Sequence, residues 1–143
     1  IEYLFTDKKT SLHFSIVPSN LHIPADRSLI EQVLINLVKN AFEACSELPD
    51  GKIQIKAFRK EGTSMITVSD NGRGIVPEAM DKIFVPFFTT KPGGSGIGLS
   101  LCRQIINRQG GTISVISEVE NGTTFSISLP INSVRASITD LHH

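Results

Sequence analysis

The sequence predicts an α+β domain, a two-layer α/β sandwich in which a mixed sheet of about five strands is covered on one face by about three helices. One observation is the alternation of apolar and polar residues, typical of strands, near the N-terminus, between residues 52 and 70, and between residues 112 and 129. The other is a helical period of apolar residues that begins at Ser28 and again at Leu99.

Length and composition predict one domain with one core, because the chain has 143 residues of which 40% are hydrophobic. We assign residues 1–130 to this domain and residues 131–143, which show no clear period, to a C-terminal tail.

The formal net charge is zero, so we expect no nucleic acid partner. No apolar run approaches the roughly 20 residues that span a bilayer, and we expect a cytoplasmic location, whether or not the full-length protein is anchored to a membrane. Cys45 and Cys102 lack the paired spacing of a metal or redox motif, so we expect reduced core thiols.

The N-terminal segment is expected to supply one or two strands. Residues 12–17 and 21–24 both alternate, and a turn-forming Pro18-Ser19-Asn20 separates them. His13 and His22 lie in these segments with no neighbouring acid or cysteine, so we interpret them as surface residues. Because the chain begins within a predicted edge strand, we expect it to be part of a longer protein.

The first predicted helix has Asp26 as a plausible N-cap and carries two asparagines, Asn36 and Asn40, side by side at the edge of its apolar stripe. Asparagine is a mediocre helix former, so this pair needs a reason. An amide carbonyl is a suitable hard ligand for Mg²⁺. The open alternative is an amide pair that binds a neighbouring loop.

A predicted strand ends at Asp70, where Asn71-Gly72-Arg73-Gly74 forms a turn. The Asp70 carboxylate can accept a hydrogen bond from a ligand amino group, and the glycines let a flat ring approach the backbone. This suits adenine. The alternative is a simple Asn-Gly turn.

Residues 77–84 predict a short helix with proline in its first turn. Residues 85–98 contain two prolines, four glycines and adjacent phenylalanines, which favours a lid over a ligand. Because this glycine-rich stretch runs into a helix at Leu99, its backbone N–H groups and the helix dipole can hold phosphate, and Lys91 adds a positive charge. A linker is the alternative. The sequence lacks the common P-loop, dinucleotide-binding and protein-kinase glycine patterns.

Four motifs in this order resemble the catalytic, ATP-binding domain of sensor histidine kinases, in the superfamily that includes gyrase, Hsp90-type chaperones and MutL. Residues 31–41 resemble the asparagine box of that family, residues 70–75 its first glycine box, residues 83–91 its phenylalanine box, and residues 94–99 its second glycine box. The resemblance covers roughly residues 10–130. It implies the two-layer Bergerat-type fold.

The resemblance also implies residue roles. Asn40 would coordinate Mg²⁺, Asn36 would lie beside the phosphates, and Asp70 would take the adenine amino group. Gly72 and Gly74 would leave room for the ring. The full set of implied ATP-binding residues is Asn36, Lys39, Asn40, Asp70, Gly72, Gly74, Ile75, Phe84, Phe87, Phe88, Lys91, Gly94, Ser95, Gly96, Ile97, Gly98 and Leu99. The implied catalytic residues are Asn36, Asn40 and Lys91.

Within the second glycine box and the lid, the resemblance implies that Lys91 and the glycine backbone hold the β- and γ-phosphates, while the phenylalanines anchor the lid. Ser95 and Ile97 stand where the family more often has threonine and leucine. Both replacements are mild, because a small polar group and an aliphatic side chain are kept.

Asn36 also bears on the implied reaction. The hydrolases of the superfamily have a glutamate there that activates water, so this chain is expected to present the γ-phosphoryl group to an external nucleophile instead. The family's acceptor histidine lies in a separate helical dimerisation domain, whose motif is not found in this sequence. The implied partners are ATP or ADP, that dimerisation domain and, indirectly, a response regulator; we expect the isolated domain to be monomeric. An ATPase of the gyrase, MutL or Hsp90 class, an anti-sigma-type serine kinase and a partner-binding module are the alternatives.

Overall fold

The computed structural model describes residues 10–19, 21–23, 25–89 and 98–130. Its strands are β1 (Thr10–Val17), β2 (Gly51–Lys60), β3 (Thr63–Asp70), β4 (Thr112–Glu118) and β5 (Gly122–Pro130), and its helices are α1 (Arg27–Ala44), α2 (Pro77–Met80) and α3 (Gly98–Arg108).

The strands form one mixed sheet in the order β1-β2-β3-β5-β4. Only β1 and β2 pair in parallel, because α1 carries the chain back across the sheet between them. The other three pairings are antiparallel, and turns connect β2 to β3 and β4 to β5. This architecture confirms the predicted mixed sheet with three helices.

The core lies between the helices and one face of the sheet. Every second residue of β2, β3 and β5 points to this face, as the period of two in a strand requires. The buried residues come from α1 (Ile30, Val33, Leu37, Val38, Ala41), from the sheet (Ile53, Ile55, Ile66, Val68, Phe125, Ile127, Leu129) and from α3 (Cys102, Ile105, Ile106). The opposite face of the sheet, called here the helix-free face, has polar and exposed residues such as Lys52, Gln54 and Lys56 on β2.

Helix α1 begins after Asp26, and its N-cap is the predicted one. The Asp26 Oδ1 atom accepts a hydrogen bond from the Leu29 backbone N–H at 3.1 Å. The Asp26 backbone N–H in turn donates to Gln109 Oε1 at 3.1 Å, just beyond the end of α3. The two longer helices are therefore tied together at this end of the core.

The structure decides between one and two N-terminal strands, and it shortens one predicted helix. Residues 21–23 do not form a strand: the Leu21 N–H donates to the Pro18 carbonyl at 2.9 Å, so a turn takes the place of a ladder. The helix predicted for residues 77–84 ends at Met80. Beyond it, Lys82 and Val85 donate to carbonyls three residues earlier, which makes a series of tight turns.

Both cysteines are buried free thiols, as the sequence predicted. Burial raises the pKa of the Cys102 thiol to about 11. Of the helices in the described ranges, none has the length and apolar character needed to cross a membrane. The predicted C-terminal tail lies outside the described residues.

Candidate functional site

Asp70 is the last residue of β3 and lies on the helix side of the sheet, in step with the buried Ile66 and Val68. Its Oδ1 atom accepts the Gly72 backbone N–H at 2.8 Å. Burial raises the pKa of the Asp70 carboxyl, and hydrogen bonds from the Gly72 and Thr123 backbones and the charge of Arg73 oppose this only in part. The Asp70 carboxylate is therefore a partly desolvated hydrogen-bond acceptor at the end of β3.

Asn71 fastens the loop after Asp70 to the start of β2. Its side-chain Oδ1 accepts the Lys52 backbone N–H at 2.7 Å, and its Nδ2 donates to the Asp50 carbonyl at 3.3 Å. Its own backbone N–H donates to the Lys52 carbonyl at 3.2 Å. The side chain thus continues the β2–β3 pairing where the ladder ends. Sequence analysis predicted only a turn at Asn71, because partners 19 and 21 residues away leave no local signal.

Gly72 and Gly74 lie where the loop passes between two other elements. A Cβ atom on Gly72 would come within 2.5 Å of the Ala44 carbonyl oxygen at the end of α1. Gly74 has a φ of +74°, and a Cβ atom there would collide with the Glu118 carbonyl oxygen at the end of β4. Close packing of the loop therefore requires both glycines. The expected room for an adenine ring stays a prediction.

Backbone hydrogen bonds hold the same loop between α1 and the β4–β5 turn. The Arg73 N–H donates to the Ala44 carbonyl at 3.1 Å, and the Glu120 N–H donates to the Arg73 carbonyl at 2.9 Å. The Ile75 N–H donates to Ser117 Oγ at 2.8 Å. Sequence analysis did not single out Ser117, which lies 42 residues from Ile75.

The asparagines of α1 approach the same region from the helix layer. Asn40 is partly buried and lies four residues before Ala44, so about 6 Å along the helix separates it from the contact with the loop. Asn36, one turn earlier, faces the start of α3, where its Oδ1 lies 3.8 Å from the position that a Cβ on Gly98 would take. Lys39, between the two asparagines, is exposed.

Phe84 anchors the segment that follows α2. Its ring packs edge-to-face on Phe125, with centroids 6.3 Å apart and an interplanar angle of 85°. The Arg103 guanidinium carbon lies 5.6 Å from the centroid of the Phe84 ring. Phe88 is partly buried, whereas Phe87 is 74% exposed. Phe84 is therefore held by β5 and α3, and the lid-anchoring role expected of Phe84, Phe87 and Phe88 stays a prediction.

Several expected ligand contacts fall outside the described residues: Lys91, Gly94, Ser95, Gly96 and Ile97. Gly98 begins α3, and Leu99 packs against the core. The phosphate-binding role of this whole stretch stays a prediction.

The chain matches proteins of a known family in both sequence and overall fold. The family model described as histidine kinase-, DNA gyrase B-, and HSP90-like ATPase matches residues 25–133. The catalytic domain of histidine kinase ThkA, in a nucleotide-free form, superposes with a TM-score of 0.75 and 41% identity over 85% of this chain and 79% of that one.

Curated relatives agree with this match. The signal transduction histidine-protein kinase AtoS of Escherichia coli (strain K12) is 46% identical over 111 residues, or 77% of this chain and 18% of AtoS. The C4-dicarboxylate transport sensor protein DctB of Rhizobium meliloti (strain 1021) is 38% identical over 125 residues, or 87% of this chain and 20% of DctB. The chain thus spans about a fifth of these relatives, and it belongs to the histidine kinase-, DNA gyrase B- and HSP90-like ATPase family.

Replacing Gly74 by alanine should destabilise the fold more than the same change at Gly62. Both glycines have nearly the same φ, +74° and +75°, but nothing lies within 4 Å of a Cβ at Gly62. Gly62→Ala should therefore cost only the left-handed strain of about 1–2 kcal/mol, and Gly74→Ala at least about 1 kcal/mol more, because the Glu118 carbonyl must move. Urea unfolding of the two variants measures the difference; equal losses would show that Glu118 does not constrain the loop.

Asp70→Asn should make the protein more stable at neutral pH. The pKa of Asp70 is raised in the fold above its ordinary value of 3.8, so the wild-type protein loses stability as the pH rises from 3.8 through the folded pKa. The substituted carboxamide has no charge to bury, so the two proteins should differ little below pH 3.8 and most above the folded pKa. Denaturant unfolding from about pH 3 to about pH 8 tests this. A constant difference across that range would contradict the shift.

Proposed function

We propose that this chain is the catalytic, ATP-binding domain of a two-component sensor histidine kinase, and that it presents the γ-phosphoryl group of ATP to a histidine on a separate dimerisation domain. The observation that carries the proposal is the Asp70 carboxylate at the end of β3, followed by a loop that is hydrogen-bonded to the end of α1, with Asn40 one turn further back on that helix. The similarity to the ThkA catalytic domain and to AtoS supports it.

Asp70 is suited to select adenine. An ionised carboxylate only accepts hydrogen bonds, and the exocyclic amino group of adenine is a donor. Guanine has a carbonyl oxygen at the equivalent position, which would face the carboxylate as a second acceptor. Because Asp70 is partly desolvated, this mismatch should strongly weaken the binding of guanine nucleotides. The loop backbone is held by other elements before any ligand arrives, so little ordering is needed on binding.

Asn40 is the residue that fits Mg²⁺. Magnesium keeps several waters and takes one or two protein oxygens together with phosphate oxygens, so a neutral carboxamide is a sufficient protein ligand when the nucleotide supplies the negative charge. Bound Mg²⁺ would neutralise charge on the β- and γ-phosphates. Lys39 is exposed beside Asn40 on α1 and can add positive charge close to the phosphates.

Asn36 determines what the site does with the phosphoryl group. A carboxamide does not take up a proton near neutral pH, so Asn36 cannot activate water as a general base. In the proposed reaction an imidazole nitrogen of the partner domain attacks the γ-phosphorus in line, the bond from that phosphorus to the bridging oxygen breaks, and ADP leaves. The Asn36 carboxamide lies at the start of α3, with its Oδ1 3.8 Å from the position that a Cβ on Gly98 would take.

The wider partners follow from the same proposal. A structure of ThkA in complex with the response regulator protein TrrA has a TM-score of 0.71 and 40% identity with this chain, covering 86% of it and 34% of ThkA. We propose that a response regulator receives the phosphoryl group downstream of this domain, and that the domain works in the cytoplasm.

Calorimetry of ATP and ADP binding, with and without Mg²⁺, tests the site. Asn40→Ala should weaken Mg-ATP binding at least about tenfold, because a metal ligand is lost, and metal-free ADP by less than about twofold. Asn107→Ala, which removes an exposed asparagine from α3, is the matched control and should bind both as the wild-type chain does. Unchanged Mg-ATP affinity in Asn40→Ala would remove the metal assignment.

Labelling with γ-phosphate-labelled ATP tests the proposed reaction. The isolated chain should acquire no phosphohistidine and turn over ATP only slowly, because Asn36 provides no general base. Adding the dimerisation domain of the same kinase should transfer the label to that domain. Stoichiometric labelling of the isolated chain, or steady hydrolysis without the partner, would contradict the proposal and favour the ATPase class.

A further inference from the structure

Ser117 connects the hairpin β4–β5 to the loop that follows Asp70. It lies near the end of β4 and pairs with Thr123 of β5 in the ladder. Along β4 it is in step with Ile113 and Val115, which pack against the core, so its side chain is on the helix side of the sheet. The residue is partly buried.

The Ser117 hydroxyl uses all of its hydrogen-bonding capacity. Its oxygen lies 2.8 Å from the Ile75 backbone nitrogen, 3.1 Å from the Gly122 carbonyl oxygen and 2.8 Å from Thr123 Oγ1. A hydroxyl has one proton and two lone pairs. The Ile75 N–H can only donate and the Gly122 carbonyl can only accept, so the Ser117 proton goes to Gly122 and the remaining lone pair accepts the Thr123 hydroxyl.

These three bonds reach both sides of Asp70. Ile75 ends the loop that starts at Asp70, while Thr123 is the cross-strand partner of Asp70 on β5. Thr123 therefore lies directly beside Asp70 in the sheet. One side chain on β4 therefore fixes the two backbone segments that flank the carboxylate.

The hairpin itself does not require Ser117 to contact Ile75. The Asn121 backbone N–H donates to the Glu118 carbonyl at 2.9 Å, which already closes the turn between β4 and β5. The bond to Ile75 instead joins the hairpin to a different part of the chain. The hydrogen bond therefore affects the position of the loop after Asp70 and not the geometry of the β4–β5 turn.

We propose that Ser117 is a positioning residue for recognition of the base: it sets where Ile75 and Thr123 lie relative to Asp70, and so how well the carboxylate meets the amino group of adenine. The inference rests on the proposed function, in which Asp70 binds adenine. Ser117 itself touches neither the base nor the phosphates in this proposal.

A matched pair of variants isolates the hydroxyl. Thr and Val have nearly the same shape and both favour strands, so Ser117→Thr keeps the oxygen and Ser117→Val removes it. Ser114→Ala, on the same strand but exposed, is the control. The measurements are the affinities for ADP and GDP by calorimetry, and hydrogen exchange of the Ile75 amide without nucleotide.

Ser117→Val should bind ADP about tenfold more weakly than Ser117→Thr, with a smaller preference for ADP over GDP, and its Ile75 amide should exchange at least about tenfold faster. Ser114→Ala should match the wild-type chain in all three. A purely structural role would lower stability without changing the ratio of ADP to GDP affinity.

Equal ADP affinity and equal Ile75 exchange in the Thr and Val variants would overturn the role of Ser117. The exchange measurement needs no ligand, so it separates this failure from failure of the proposed function. If the Val variant loses Ile75 protection but the wild-type chain binds no ADP, the hydrogen-bond network stands and both the proposed function and the recognition role fall.

Discussion

The structure of the site depends on where the backbone N–H groups go once the chain leaves β3 at Asp70. Outside the ladder each such group needs another acceptor, since a buried and unpaired N–H is costly. Four of the backbone N–H groups between residues 71 and 75 have an acceptor, and each acceptor belongs to a different part of the fold. The pairs are Asn71 with the Lys52 carbonyl, Gly72 with the Asp70 carboxylate, Arg73 with the Ala44 carbonyl, and Ile75 with the Ser117 hydroxyl.

This arrangement explains why the loop is rich in glycine, and it supports the proposed role of Asp70 in binding a base. A backbone held between the end of α1 and the end of β4 leaves no space for a Cβ at Gly72 or Gly74. It also fixes Asp70 in a partly desolvated place, where burial raises the pKa of its carboxyl. A carboxylate that is costly to ionise in the empty site gains most from a ligand donor, so stability and recognition are opposed at this residue.

The sequence predicted the elements well, because strand and helix periods are local properties. The sheet, α1 with its Asp26 cap, and the buried thiols agree with expectation. Of the one or two strands expected near the N-terminus, β1 forms and residues 21–23 do not make a second, since alternation over so few residues does not supply a pairing partner. The helix after Pro77 is shorter than expected because its apolar pattern fits successive tight turns equally well.

The site was predictable only in part. Asp70 and the α1 asparagines were proposed from motif order and residue chemistry, and their roles stay predictions; the structure shows that the loop after Asp70 is hydrogen-bonded to the end of α1. The supports of that loop were not predictable, because the bond between Ile75 and Ser117 spans 42 residues and no local pattern marks it. The glycines were interpreted as space for a ligand, and their packing against Ala44 and Glu118 needed the three-dimensional structure.

The most direct test of this account is a titration of the ¹⁵N-labelled chain with ADP, followed by the backbone amide resonances. If the loop after Asp70 is a preformed base-binding surface, the amides of residues 70–75 and of Asn40 should shift, while Lys56, Thr67 and Ser126 on the helix-free face stay unchanged. Shifts confined to the helix-free face, with residues 70–75 unaffected, would contradict it.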